Sequence, residues 1–275
     1  VCPGQPELAA EYAGKAASVS HGGEGIYGGQ YVAAAIALAF TAENIRETFR
    51  RLKAMGYDEA QTAGCPIPYE EFGQIAKEEG IAIIGTHEGW NQVYEAPVEQ
   101  VVANHRALGT TNVGIGAYYF HSEEEIYTFC EQANELGARL KPYGMKFTYH
   151  NHSFEFRRWG NDGKTAMDIL AERLDPETVS FVLDTYWVQH GGGDVRAWIE
   201  RLAGRIDILH LKDMGVNENG PFITECGNGN INFDGIIPLA EACGVKHFCV
   251  EQDIWPGDAM DSAAFSAQYL KKFMH

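Results

Sequence analysis

The feature that most constrains this 275-residue chain is an alternation. Short, nearly uninterrupted apolar runs are followed again and again by longer stretches with helical spacing. "IAIIGTH" (81–87), "TNVGIGAYYF" (111–120), "KFTYHNH" (146–152), "VSFVLDTY" (179–186), "RIDILHLKD" (205–213) and "KHFCVEQD" (246–253) read as strands. A strand that is apolar on both faces must be covered on both, which parallel strands joined by helical crossovers achieve. Helices are expected near 41–56, Glu70–Glu79, Pro97–Leu108, Glu123–Leu140, Lys164–Arg173, Asp194–Leu202, Phe233–Cys243 and Ser262–Phe273. With "VAAAIALAF" (32–40) and "YDEAQTAG" (57–64) placed ahead, the chain holds eight strand–helix pairs. Eight such units predict an α/β fold, a (β/α)8 barrel over residues 31–275 as a single domain. An open doubly wound sheet is the alternative. Residues 1–30 are Gly-rich and aperiodic and read as an N-terminal extension.

Composition narrows the function classes. The formal net charge is −17, from 38 acidic and 21 basic residues, and no basic run exceeds two residues. Phosphate contacts supply most of the affinity for DNA or RNA, so no nucleic-acid partner is expected. No apolar run approaches the ~18 residues of a membrane span. No charged-then-apolar leader opens the chain, and a cytoplasmic protein without a membrane partner is expected. Cys2, Cys65, Cys130, Cys226, Cys243 and Cys249 are scattered and include no C-x-x-C, so they read as buried or incidental thiols.

In a barrel of this kind the chemistry sits at the C-terminal ends of the strands. Titratable residues gather there. His87, Glu88 and Trp90 follow the third expected strand, and His150, Asn151 and His152 end the fifth. Asp184, Trp187 and His190 follow the sixth, His210, Lys212 and Asp213 the seventh, and Glu251, Asp253 and Trp255 the last. Strand alternation sends His150 and His152 to one side with Asn151 opposite. Two imidazoles side by side in a core are costly unless something pairs them, and buried carboxylates need a partner or a cation. One divalent ion held by His150, Asp184, His210 and Glu251 satisfies all of them together. The mixed N/O set suits Mn, Co, Zn or Fe better than Ca. A metal-free ion-pair network is the alternative. His87, Trp90, Trp187, His190 and Trp255 lie where they would meet a small polar substrate, although the tryptophans fit rim packing equally well. The Gly- and Asn-rich stretch 216–235 reads as a long polar loop of the kind that forms lids.

"YHNHSFEF", "LDTYWVQHGGGD", "HLKD" and "GNGNINFDGI" together resemble the sugar phosphate isomerase/epimerase-like branch of the xylose isomerase-like TIM barrel superfamily. The likeness runs from about residue 32 to the end. It implies one divalent metal (Mn, Co, Zn, Fe or Mg) bound by Glu, Asp, His and Glu of strands five to eight. The last three carry over to Asp184, His210 and Glu251, while His150 stands in place of the first Glu. The epimerases use the two glutamates as an acid/base pair, so the substitution departs from that scheme. The dehydratases of the superfamily, such as inosose dehydratase, place an acid/base histidine two residues beyond the first ligand and a lysine after the strand-seven histidine. His152 and Lys212 match those places. The assignment of ligand and proton carrier between His150 and His152 stays open.

The shared chemistry is proton removal next to a carbonyl through an enediolate. Glu251 or His152 is the expected base and Lys212 the group that meets developing negative charge. The leading expectation is a metal-dependent sugar isomerase/epimerase. A lyase acting on a keto-sugar or keto-inositol is the alternative, and a non-catalytic carbohydrate-binding barrel the third. The substrate is a small polar molecule, and no basic cluster beyond Lys212 prepares the strand ends for a phosphate. Relatives commonly form dimers or tetramers, so a homo-oligomer accords with the resemblance.

Overall fold

The computed structural model describes residues 42–160 and 163–273. The expected first strand, 32–40, and the extension 1–30 lie outside the described residues. The strands are β1 (Glu59–Ala63), β2 (Ala82–His87), β3 (Asn112–Ile115), β4 (Lys146–His150), β5 (Val179–Asp184), β6 (Ile206–Leu211), β7 (Asp213–Asn217), β8 (Gly220–Thr224) and β9 (His247–Val250). The helices are α1 (Ala42–Met55), α2 (Tyr69–Glu78), α3 (Trp90–Tyr94), α4 (Val98–Leu108), α5 (Glu123–Leu140), α6 (Ala166–Arg173), α7 (Thr185–His190), α8 (Val195–Arg201), α9 (Phe233–Ala242) and α10 (Ala259–Leu270).

β1 pairs in parallel with β2, and β3, β4, β5, β6 and β9 form a second parallel run in that order. A parallel bridge between Glu88 and Ile115 joins the two runs. Within these two runs each strand lies parallel to the one before it, with helices on the connections, so the sheet curls as the wall of a TIM barrel. β5 ("VSFVLD") and β6 ("IDILHL") are buried at every position. Their residues divide between two cores. Phe181, Leu183, Ile206 and Leu209 face the helices in a large cluster that includes Phe129 and Leu136 of α5. Val182 and Ile208 face the other way and meet Ile84 and the half-buried Cys249 inside the barrel. Two positions further along β5 and β6, and just past the end of β9, the same face carries Asp184, His210 and Glu251. The interior apolar cluster is thus the floor beneath a polar mouth.

Several strands stop earlier than the apolar runs suggest. β3 ends at Ile115 rather than 120, because the Gly116 carbonyl turns to meet a side chain of β4. β5 ends at Asp184, whose Oδ1 accepts from the Trp187 amide and caps α7. The stretch expected to be one long polar loop is in part a hairpin, β7 antiparallel to β8. Glu218–Asn219 supplies its turn, and Gly220 opens β8 at φ +112°. The Asp213 carboxylate accepts from the amides of Met214, Gly227, Gly229 and Ile231 and ties the segment between β8 and α9 to the sheet. Cys65, Cys130, Cys226, Cys243 and Cys249 are free thiols.

Candidate metal centre and active site

Four strand ends bring one ligand atom each to the mouth of the barrel. His150, Asp184, His210 and Glu251 offer atoms that all lie within 4.8 Å of one another. His150 Nε2 is 3.4 Å and His210 Nδ1 3.5 Å from Asp184 Oδ2, and Glu251 Oε2 touches His210 Nδ1. His210 Nδ1 and Glu251 Oε2 are buried atoms without a hydrogen-bond partner despite that contact. The outer faces of both imidazoles are anchored. His150 Nδ1 lies 2.9 Å from the Gly116 carbonyl, and His210 Nε2 lies 2.6 Å from Gln61 Oε1. Asp184 is held by the Asn151 side chain, whose Oδ1 accepts from its amide at 3.0 Å. Two ring nitrogens and two carboxylate oxygens, converging on one point and steadied from behind, are the donor set of a divalent ion such as Mn, Co, Zn or Fe. The residues present fit the group.

Lys212 sits against this set, 1% exposed, with Nζ 3.2 Å from Glu251, 2.5 Å from Asp253 and 3.7 Å from Asp184. Burial works against its charge, but the three carboxylates outweigh it and raise its pKa. Asp184 shows the converse: burial raises it, yet the imidazoles of His150 and His210 and the Lys212 ammonium bring it below its usual range. For His210, burial lowers the pKa, but Glu251 and Asp184 raise it to about 9. Carboxylates that favour a proton on this ring favour a cation in its place.

Two further imidazoles flank His150. The His87 ring stacks on it at 4.7 Å and the His152 ring meets it edge-on at 4.8 Å. Burial, reinforced by the neighbouring imidazole of His150, keeps His87 well below its usual range and brings His152 to about 4. Each keeps one buried ring nitrogen, His87 Nε2 and His152 Nδ1, without a partner. His152 lies between Phe154 (5.2 Å) and Trp187 (5.1 Å), and Lys212 Nζ is 4.8 Å above the same Trp187 ring. Behind it, the fully buried Glu155 accepts from the His152 amide (2.9 Å) and the Tyr149 hydroxyl (2.7 Å), and burial raises its pKa to about 7.

The structure therefore gathers His87, His150, His152, Asp184, Trp187, His210, Lys212 and Glu251. It does not bring Trp90 to them: that ring packs on Tyr94, Tyr118, Phe129 and Phe147, on the helix-facing side of the sheet. His190 is exposed and stacks on Tyr186. Trp255 lies half-buried beyond β9. The supporting roles of Gln61, Asn151 and Glu155 are not evident from the sequence. Gln61 shows there only as a polar residue between Ala60 and Thr62. Asn151 and Glu155 lie inside "HNHSFEF", where the two histidines are the stronger signal.

The Xylose isomerase-like TIM barrel family model matches residues 49–272, and the chain belongs to that family. An inosose dehydratase of Clostridium perfringens is 26% identical over 174 residues, 56% of this chain and 57% of the relative. The chain thus spans little more than half the length of that relative. A sugar phosphate isomerase/epimerase from Parabacteroides distasonis superposes with a TM-score of 0.69 at 22% identity, over 83% of this chain and 88% of the other. A xylose isomerase-like TIM barrel protein from Mycobacterium smegmatis, solved in complex with magnesium, gives 0.60 at 16% identity over 84% and 88%. Among the described residues no helix is long and apolar enough to cross a membrane.

Proposed function

We propose that this chain is a divalent-metal-dependent enzyme that removes a proton next to the carbonyl of a sugar or keto-inositol derivative and completes an elimination. The observation that carries the reading is the convergence of His150, Asp184, His210 and Glu251 beside two proton carriers in opposite states. When bound, the ion supplies a Lewis acid that polarises carbonyl and hydroxyl oxygens. The chain supplies the proton traffic. At neutral pH His152 is unprotonated, with a buried nitrogen free to take the proton. Lys212 is protonated and stands over the same Trp187 ring, placed to deliver a proton to a departing hydroxyl. Neighbours whose environments drive them to opposite protonation states divide the work of base and acid. This division suits loss of a β-hydroxyl better than the symmetrical glutamate pair of an epimerase, because His150 occupies the place of the first glutamate. The inosose dehydratase relative agrees with it.

Isomerase or epimerase chemistry is the second reading. It is favoured by Glu251, which is in contact with both His210 and Lys212 and only partly buried, so that it can act as base itself.

The substrate we infer is unphosphorylated. Lys212, the cation at the described strand ends closest to the centre, is already shared by three carboxylates. Arg157 and Arg158, in the segment after β4, are exposed and turned to the Trp159 ring and the Gly163 carbonyl.

The test is proton exchange. Keto-sugars and keto-inositols are incubated in D2O with chelated and metal-reloaded protein and followed by NMR. Metal-dependent deuterium incorporation beside the carbonyl, with water loss, is expected. Incorporation with retention of every hydroxyl would select the second reading. No exchange with any of them would remove both and leave a carbohydrate-binding barrel.

A further inference from the structure

Gln61 lies on β1, and no motif of the sequence includes it. Its Oε1 stands 2.6 Å from His210 Nε2, on the side of the ring away from the carboxylates. An amide oxygen only accepts, so the nitrogen facing it carries hydrogen. The other nitrogen, Nδ1, faces Asp184 Oδ2, 3.5 Å away, and Glu251 Oε2, and is the one that would give up its proton to a cation held there. An imidazole ligates through the nitrogen left bare, and the partner of the other nitrogen fixes the orientation of the ring.

The backbone prepares the place. The β1–β2 register shifts between Ala60 and Gln61, which sets Gln61 opposite Gly85. A Cβ on Gly85 would come within 2.9 Å of Ile208 Cδ1, so the glycine leaves room for Ile208 in the barrel interior, and the Gln61 amide lies at ordinary contact distance beside it. Gln61 Nε2 is itself buried without a hydrogen-bond partner. The oxygen end is satisfied at the expense of the nitrogen end, which points to the oxygen as the part that matters.

His150 is oriented by the same logic with its nitrogens exchanged. Its Nδ1 meets the Gly116 carbonyl at 2.9 Å, which leaves Nε2 for the centre. That anchor is backbone and is beyond the reach of substitution, whereas Gln61 is a side chain.

We propose that Gln61 is a positioning residue for the metal ligand His210, holding its Nε2–H so that Nδ1 faces Asp184 and Glu251. The inference rests on the assignment of His210 as a metal ligand. It is tested by titrating chelator-stripped protein with Co²⁺, read by calorimetry and by visible absorption, in wild type, Gln61→Leu and Gln61→Glu. Leu removes the acceptor at similar volume, and Glu keeps an acceptor oxygen. Gln61→Leu should bind Co²⁺ about 10- to 100-fold more weakly with an altered spectrum. Gln61→Glu should bind at least as tightly as wild type with the wild-type spectrum. Equal affinity of wild type and Gln61→Leu overturns the inference and leaves the metal centre standing. If Gln61→Leu does not fold, Gln61→Glu decides alone, and binding weaker than wild type overturns the proposal. Wild type that takes up no Co²⁺ overturns the metal centre and this inference together.

Discussion

Asp207 and Asp184 are both buried carboxylates on adjacent strands, at opposite ends of the barrel wall. Asp207, near the start of β6, is held by Lys246 at 2.6 Å and Lys146 at 3.9 Å, whose side chains are 55% and 32% exposed. Its neighbour Arg205 donates to the carbonyls of Ala171 and Leu174. Asp184 shares its end with Glu251 and meets His150, His210 and Lys212, all of them buried. Among the described residues, unpartnered buried atoms gather at that end: His87 Nε2, His152 Nδ1, Trp187 Nε1, His210 Nδ1 and Glu251 Oε2. At the other end Arg205 Nε is one such atom. Charge is dense at both ends, so density does not distinguish them. What differs is completeness. One set of ion pairs closes on itself and reaches water, which makes it a stabilising device. The other leaves donor atoms converging on a common point, and a native protein tolerates that where a ligand completes the set.

The comparison breaks most sharply at Asp184. Asp184→Ala should abolish metal binding and lower turnover more than about 100-fold, since changing even an outer support of a metal site costs about 10- to 100-fold. Metal analysis beside the exchange assay checks it. His152→Ala should leave metal content unchanged and reduce kcat by about 10²- to 10⁴-fold, the usual contribution of a positioned proton carrier. A loss seen in KM alone would assign His152 to binding.

Glu155 gives an effect on stability. Its folded pKa of about 7 lies above the ordinary value of 4.5. Between those two pH values the folded protein keeps a proton that the unfolded chain has released. Stability therefore falls as pH rises from 4.5 to 7 and levels off above, by about 3–4 kcal/mol at most. Glu155→Gln should flatten this part of the wild-type profile in urea unfolding, and an unchanged slope would contradict the buried-acid account. The smallest effect belongs to the opposite end of the barrel. Asp207→Asn should cost about 1–2 kcal/mol, the range for hydrogen bonds to a charged group, and leave metal affinity as it was.

The alternation of β and α was legible because burial on both faces leaves a continuous apolar signature in β5 and β6. Strand ends were less so. Apolar letters continue through Tyr118 to Phe120, but the backbone has already turned to serve His150. The hairpin of β7 and β8, which turns at Glu218–Asn219, was obscured by its polar neighbours. His150, Asp184, His210 and Glu251 could be picked out together because each is titratable and placed at the end of an apolar strand. Gln61 could not: an uncharged amide on a short strand gives no local sign that it faces a histidine 149 positions away. Trp90 shows the opposite limit, since a tryptophan after a strand reads the same whether its ring faces the mouth or the helices.

The most direct test is the metal content of purified protein, measured by plasma mass spectrometry for wild type, Asp184→Ala and His210→Ala after exposure to Mn²⁺, Co²⁺, Zn²⁺ and Fe²⁺ and removal of free ion. One ion per wild-type chain, absent from both variants, is the predicted result. A wild type without metal, or variants that retain it, would contradict the claim that these strand ends form a metal centre.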